Sequence, residues 1–206
     1  MDLQLSGKRV FVTGASKGIG LAVARAFRQE GARVAINSSN PQNLARAQEV
    51  LGGDCLTLGG DLGDIDSIGS IFAQLEERWG GLDILVNNAA VMVRTPLLEI
   101  EPAQWDKIMN TMTMALAGEL APYNIRVNGY MPGLIVTEQS MSSKDAANEA
   151  ERLKPVALRR YGTVEEMADV VLFLASPMSS YMTGETVTAN GGKLAIQNPW
   201  KGWESK

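Results

Sequence analysis

The chain contains no histidine and only one cysteine, Cys55, among its 206 residues. Without histidine there is no Ser-His-Asp or Cys-His nucleophile system and no imidazole metal site. A single cysteine gives no intrachain disulfide and no zinc-type cluster, so no metal ligands are assigned. Beside an apolar run, Cys55 reads as a small buried hydrophobe. Excess positive charge is also lacking: 19 basic residues stand against 23 acidic ones, a net charge of −4. The basic residues are scattered and form no stripe along which phosphates could lie, which argues against a nucleic-acid or membrane partner. No apolar run is long enough to span a bilayer, and the opening MDLQLSGKRVFVTG lacks the basic and apolar regions of a signal peptide. A cytoplasmic location is expected.

What is present is an ordinary globular composition, 45% hydrophobic and 20% charged. The length suits one domain with a sizeable core, and no repeat, linker or low-complexity tract divides residues 1–206. The elements alternate. KRVFVTG, RVAIN, CLTLGGDL, LDILVNNAA, IRVNGYMPG and GETVTANGG read as strands without polar alternation. GIGLAVARAFRQEGA, PQNLARAQEVLGG, DSIGSIFAQLEERWGG and VEEMADVVLFLAS read as helices. Such alternation predicts a parallel sheet covered on both faces, a doubly wound α/β fold of Rossmann type in three layers. Ligands belong outside the carboxyl ends of its strands.

TGASKGIG, residues 13–20, joins the first strand to the first helix. Gly14, Gly18 and Gly20 permit a tight turn, close backbone approach to a pyrophosphate, and close packing of helix on strand. Ser16, Lys17 and Ile19 complete the turn, and the helix N-terminus offers N–H groups and a positive dipole end. A glycine-rich turn without a ligand is the bland alternative, weakened by the strand–turn–helix context. At the end of the second strand, Asn37, Ser38 and Ser39 stand where an acid would bind a ribose 2′-hydroxyl and repel a 2′-phosphate. With Lys17 they favour NADP(H) over NAD(H). The same residues would also suit a plain solvated turn.

These motifs resemble the short-chain dehydrogenase/reductases over nearly the whole chain. Thr13 to Gly20 is similar to the family's T-G-x-x-x-G-x-G motif. Asp61 and Leu62 match the pair that contacts adenine. Asn87, Asn88, Ala89 and Ala90 match N-N-A-G, with alanine for the glycine. Pro132, Gly133, Ile135 and Thr137 match the P-G-x-x-x-T segment that receives the nicotinamide carboxamide and phosphates. TGETVTANGG resembles the last core stretch, with Asn190 where Asp is usual. The resemblance implies hydride transfer between nicotinamide and a carbonyl or alcohol substrate, either a 3-oxoacyl group or a small alcohol, sugar or ketone. It also implies a homodimer or homotetramer.

The family's chemistry rests on an Asn-Ser-Tyr-Lys set, in which lysine lowers the tyrosine pKa so that it works near neutrality. No Tyr-x-x-x-Lys exists in this chain, and the flanking motifs close up between Thr111 and Met112. No catalytic residue is therefore assigned. Either one fused helix joins what are the family's fourth and sixth strands, leaving out the fifth strand and adjoining parts of two helices, or the sequence passes over a segment that the protein contains. The hole that a lost central strand leaves in a sheet favours the second explanation. The unbroken 3.6-residue periodicity of Trp105, Ile108, Met109, Met112, Leu116 and Leu120, between Pro102 and Pro122, favours the first. With an oxidoreductase stands the alternative of an inactive dinucleotide-binding sensor or scaffold. Residues 138–155 lie where the family carries a substrate lid, and read equally well as a solvated surface helix.

Overall fold

The computed structural model describes residues 2–89, 112–138, 140 and 149–193. The helix expected to begin near Pro102 lies mostly outside them, as do Ala90 and much of the expected lid. The chain divides into two compact units, Met1–Met92 with Val164–Ser180, and Val93–Thr163 with Tyr181–Lys206.

The first unit is built on a parallel sheet of four strands, β1 (Arg9–Val12), β2 (Arg33–Ser38), β3 (Leu56–Gly59) and β4 (Ile84–Val86), in the order β3-β2-β1-β4. β1 is central because it has no polar face: Val10, Phe11 and Val12 are all fully buried. Val10 lies level with Val34 on one side and Ile84 on the other. Around Phe11 gather Ala35, Leu58, Ile71 and Leu75, with Leu62 and Trp79 packed on the rim. Burying each large side chain of this cluster contributes on the order of 2 kcal/mol.

Helix α1 (Gly18–Gln29) buries Ala22, Val23, Ala24 and Phe27 on one face and stops before Gly31, whose φ is +79°. α2 (Pro41–Leu51) starts with proline in its first turn, and the Asn40 side chain accepts from the Asn43 amide at 2.9 Å. α3 (Ile65–Trp79) is capped by Asp64 and ended by Gly80 in the left-handed region. These are the stops expected of such residues. At the opposite end of the sheet from the glycine turn, Arg9 pairs with Asp83 at 2.9 Å and holds its carboxyl down to about 2. β4 has no second neighbour among the described strands, and Leu85 on it is 43% exposed.

In the second unit, residues 112–120 are helical (α4) and lead through a 3-10 turn, Ala121–Tyr123, into β5 (Gly129–Pro132). Pro122 falls inside that turn, so the helix ends just before it. β5 pairs in parallel with β6 (Thr186–Ala189), Tyr130 level with Val187. Thr113 and Ala117, one turn apart, are the buried face of α4, and Met112, Met114 and Leu116 are exposed. α5 (Glu149–Leu153) is short. α6 (Val164–Ala175) returns to the first unit and packs on α1. The parallel strands with flanking helices are the expected α/β fold of Rossmann type. β5 begins later than IRVNGYMPG suggested, because residues 126–128 are tied to residues 182–185 mostly through side chains, with a single backbone bond from the Gly184 amide to the Val127 carbonyl among the bonds described.

Candidate functional site

The glycine turn is fixed from below by a strand end some seventy-five residues away. The Thr13 amide donates to the Val86 carbonyl at 3.0 Å, and its hydroxyl accepts from the amides of Asn88 at 2.9 Å and Ala89 at 3.0 Å. Asn88 answers with its side-chain amide, which donates to the carbonyls of Thr13 at 2.9 Å and Gly14 at 3.2 Å. The turn is thus cross-linked to the end of β4 by polar groups that are themselves satisfied.

Two glycines are required by this packing. Gly14 has φ +60°, and a Cβ there would lie 2.8 Å from Ala89 Cα. A Cβ on Gly20 would lie 2.9 Å from both Ala15 Cα and the Gly14 carbonyl oxygen. Gly18 is also left-handed, at φ +57°. A side chain at Gly14 or Gly20 would collide with the end of β4 or with the turn itself, and at Gly14 and Gly18 it would also strain the left-handed backbone. At the mouth of α1, Lys17 occupies the N-cap position, no side chain caps the helix, and its first turn holds no acid. Uncapped N–H groups with a lysine beside them and no carboxylate suit an anion. Ser16 and Ile19 are half-buried and Lys17 is exposed. The cradle therefore fits a dinucleotide pyrophosphate.

The β2 end carries no carboxylate. Asn37 is buried and donates to the carbonyls of Leu58 at 3.0 Å and Gly60 at 3.1 Å, so its amide group holds β2 to β3. Its own carbonyl takes the Ala15 amide at 3.0 Å, tying β2 to the glycine turn. The Ser38 hydroxyl accepts from the Asn40 amide at 3.2 Å, and Ser39 is exposed. Asp61 is exposed and accepts from the Gly63 amide at 2.9 Å, while Leu62 packs on the Phe11 cluster. Asn87 is exposed beside Asn88.

In the second unit, Pro132 and Gly133 close β5. The Gly133 amide donates to the Ala189 carbonyl, and a Cβ on Gly133 would lie 2.9 Å from the Asn190 carbonyl carbon. Asn190 accepts from the amides of Gly192 and Lys193, so it serves the turn as an aspartate would. Ile135 is buried and bridges to Gly162. Thr137 is half-buried at the start of a helical turn. Thr13 and Asn88 lay inside quoted motifs, but their structural work was not legible from the motifs. Ser140, three residues after Thr137, was missed, although T-x-x-S is a variant of a known helix-start pattern. Among the described residues no group of acids or cysteine could hold a metal ion, and no helix is long and apolar enough to cross a membrane.

The short chain dehydrogenase family model matches residues 8–116, and the enoyl-(acyl carrier protein) reductase model matches residues 109–193. The 3-oxoacyl-(acyl-carrier-protein) reductase of Chlamydia pneumoniae is 30% identical over 246 residues, covering 93% of this chain and 99% of that protein. Dehydrogenase/reductase SDR family member 4 of Oryctolagus cuniculus is 33% identical, covering 91% and 94%. A short-chain dehydrogenase/reductase structure from Brucella melitensis, a glucose/ribitol dehydrogenase by its description, superposes with a TM-score of 0.83 at 28% identity, covering 94% and 99%. The Chlamydia alignment is longer than this whole chain, so on the order of fifty of its positions have no residue here, about the size of one strand-and-helix unit. The two family models meet across Thr111 and Met112, which are consecutive in the full sequence. The chain belongs to the short-chain dehydrogenase/reductase family of oxidoreductases.

Proposed function

We propose that this chain binds NADP(H) in preference to NAD(H) and belongs to reactions that move hydride between nicotinamide and a carbonyl or alcohol carbon, on a 3-oxoacyl group or a small ketone, alcohol or sugar. The observation behind this reading is the glycine cradle together with a β2 end that carries serines and no acid. Gly14, Ser16, Gly18, Ile19 and Gly20 would line the pyrophosphate, and Lys17, Ser38 and Ser39 the 2′-phosphate side, with Asn37 holding the end of β2 to β3 beneath them. Asp61 and Leu62 would receive the adenine, with Asn87 and Ala89 below the riboses. Pro132, Gly133, Ile135 and Thr137 would take the nicotinamide end. In this proposal residues 1–206 serve one dinucleotide as one domain, in the cytoplasm and as a homodimer or homotetramer.

A specific observation favours a second reading, a dinucleotide-binding sensor or scaffold without turnover. Reducing a carbonyl needs a proton donor near the substrate oxygen, and no tyrosine here is followed by lysine four residues on. Tyr130, half-buried in β5, is moved further from such use, since desolvation raises its pKa above the usual phenol value. For the chain by itself, the residues support binding more firmly than catalysis.

The test measures NADPH oxidation by the purified 206-residue chain, its mass confirmed near 22.1 kDa, with 3-oxoacyl thioesters and small ketones. Turnover within about tenfold of the common enzyme range near 10 per second would establish the oxidoreductase and refute the scaffold. Binding of NADPH without oxidation would establish the scaffold.

A further inference from the structure

Thr137 and Ser140 are tied to each other by three hydrogen bonds within one helical turn. The Thr137 amide donates to Ser140 Oγ at 2.8 Å, and the Ser140 amide donates to Thr137 Oγ1 at 3.1 Å. The Ser140 hydroxyl donates to the Thr137 carbonyl at 2.9 Å. The first two bonds form a reciprocal capping box, with serine in the position more often held by Glu or Gln.

A threonine hydroxyl has one proton and two lone pairs. Here one lone pair receives the Ser140 amide, which fixes the side-chain torsion of Thr137. The remaining proton and lone pair match a carboxamide, which offers a carbonyl acceptor and an N–H donor. A side chain held in one rotamer before the ligand arrives loses less conformational freedom when it binds. Without Ser140 Oγ, the Thr137 amide loses its acceptor and the turn loses half its cap.

We propose that Ser140 is a positioning residue for the nicotinamide end of the cofactor, acting through Thr137 and without touching the cofactor. The inference rests on the NADP(H) reading given above. It adds that the nicotinamide anchor is preset by a side chain three residues further on.

The test is calorimetric titration of wild type, Ser140→Ala and Ser140→Thr with two probes, NADPH and 2′-phospho-ADP-ribose, which lacks only the nicotinamide. Ser140→Ala is expected to weaken NADPH about three- to tenfold, the usual size of a lost cap, and to leave 2′-phospho-ADP-ribose unchanged. Ser140→Thr keeps the hydroxyl and retains both affinities. Should Ser140→Ala prove unstable, Ser140→Cys, close in shape but a poor acceptor, gives the same selective loss. Equal weakening of both probes shows a role in folding alone and overturns the inference, as does an unchanged NADPH affinity. Wild type that binds both probes equally overturns the nicotinamide anchor while the cradle stands. Wild type that binds neither refutes the dinucleotide reading itself.

Discussion

The two motif-bearing regions of this chain are held in different ways. The glycine turn after β1 is locked by side chains and amides that reach it from the ends of β4 and β2: Thr13 with Asn88 and Ala89, and Ala15 with Asn37. Thr13, Ala15 and Asn37 in that lock are buried. The segment from β5 to Thr137 hangs on a two-stranded ladder, on backbone bonds between residues 134–136 and Gly162, and on the local Thr137–Ser140 cap. Both regions hang on contacts between distant residues, but the first adds polar side chains from two strand ends, while the far end of the second, at Thr137, is held by a local cap. In the proposed function the first region anchors the pyrophosphate and the second, through Thr137, the nicotinamide.

Gly14→Val is the most damaging test of that contrast. The new side chain would meet Ala89 and require a left-handed valine, so NADPH binding should fall at least a hundredfold, with about 3 kcal/mol of lost stability. Gly133→Val, set against Asn190 in the second region, should cost similar stability. A Gly14→Val chain that binds NADPH normally would show that the turn is not the phosphate site.

Asn88→Ala and Asn128→Ala form the next pair. Asn88 supports the turn from the end of β4, and its removal should cost about 2 kcal/mol and weaken 2′-phospho-ADP-ribose severalfold. Asn128 donates to the Met182 carbonyl at 2.9 Å and accepts from the Glu185 amide. Its removal should cost about 1 kcal/mol, readable by urea unfolding, with that probe unaffected. Equal effects on the probe would erase the distinction between the regions.

Much of the first region was legible in the sequence, and for a physical reason. A buried parallel strand must be apolar on both faces, so KRVFVTG and RVAIN announce themselves, and a phosphate turn needs glycine where no other residue fits. The caps at Asn40, Asp64 and Gly80 follow from the same local rules. What could not be read was which partner each polar residue chooses. Asn37 stood among the cofactor residues, yet its side-chain amide group is given to Leu58 and Gly60. Asn88 was one letter of a motif, but its contacts lie on residues seventy-five positions earlier. The lid over residues 138–155 remains an expectation, since much of it lies outside the described residues. The capping box at Thr137 is hidden in T-x-x-S because serine replaces the Glu or Gln that usually marks its third helical position.

Two smaller effects sharpen the picture. Asp83 ionises near 2 in the folded chain against 3.8 ordinarily, because Arg9 hydrogen-bonds its carboxylate. A lowered pKa gives stability that is complete above about pH 4 and is lost as pH falls towards 2. Asp83→Asn should therefore lower stability at neutral pH and flatten the acid limb between pH 4 and 2, as followed by circular dichroism. In the second region Arg159 sits at φ +54° beyond α5. Arg159→Gly should relieve that strain and raise stability by about 0.5–1 kcal/mol, less whatever its bond to the Lys154 carbonyl contributes, which a thermal melt would show.

The central claim is that the cradle is complete in this chain and prefers the phosphorylated dinucleotide. Parallel calorimetric titrations of the 206-residue protein with NADPH and NADH test it most directly. The account predicts one site per chain, with NADPH bound at least tenfold more tightly and the advantage shrinking as salt screens the phosphate contacts. Equal affinities would remove Lys17, Ser38 and Ser39 from the site, and no binding of either would contradict the account.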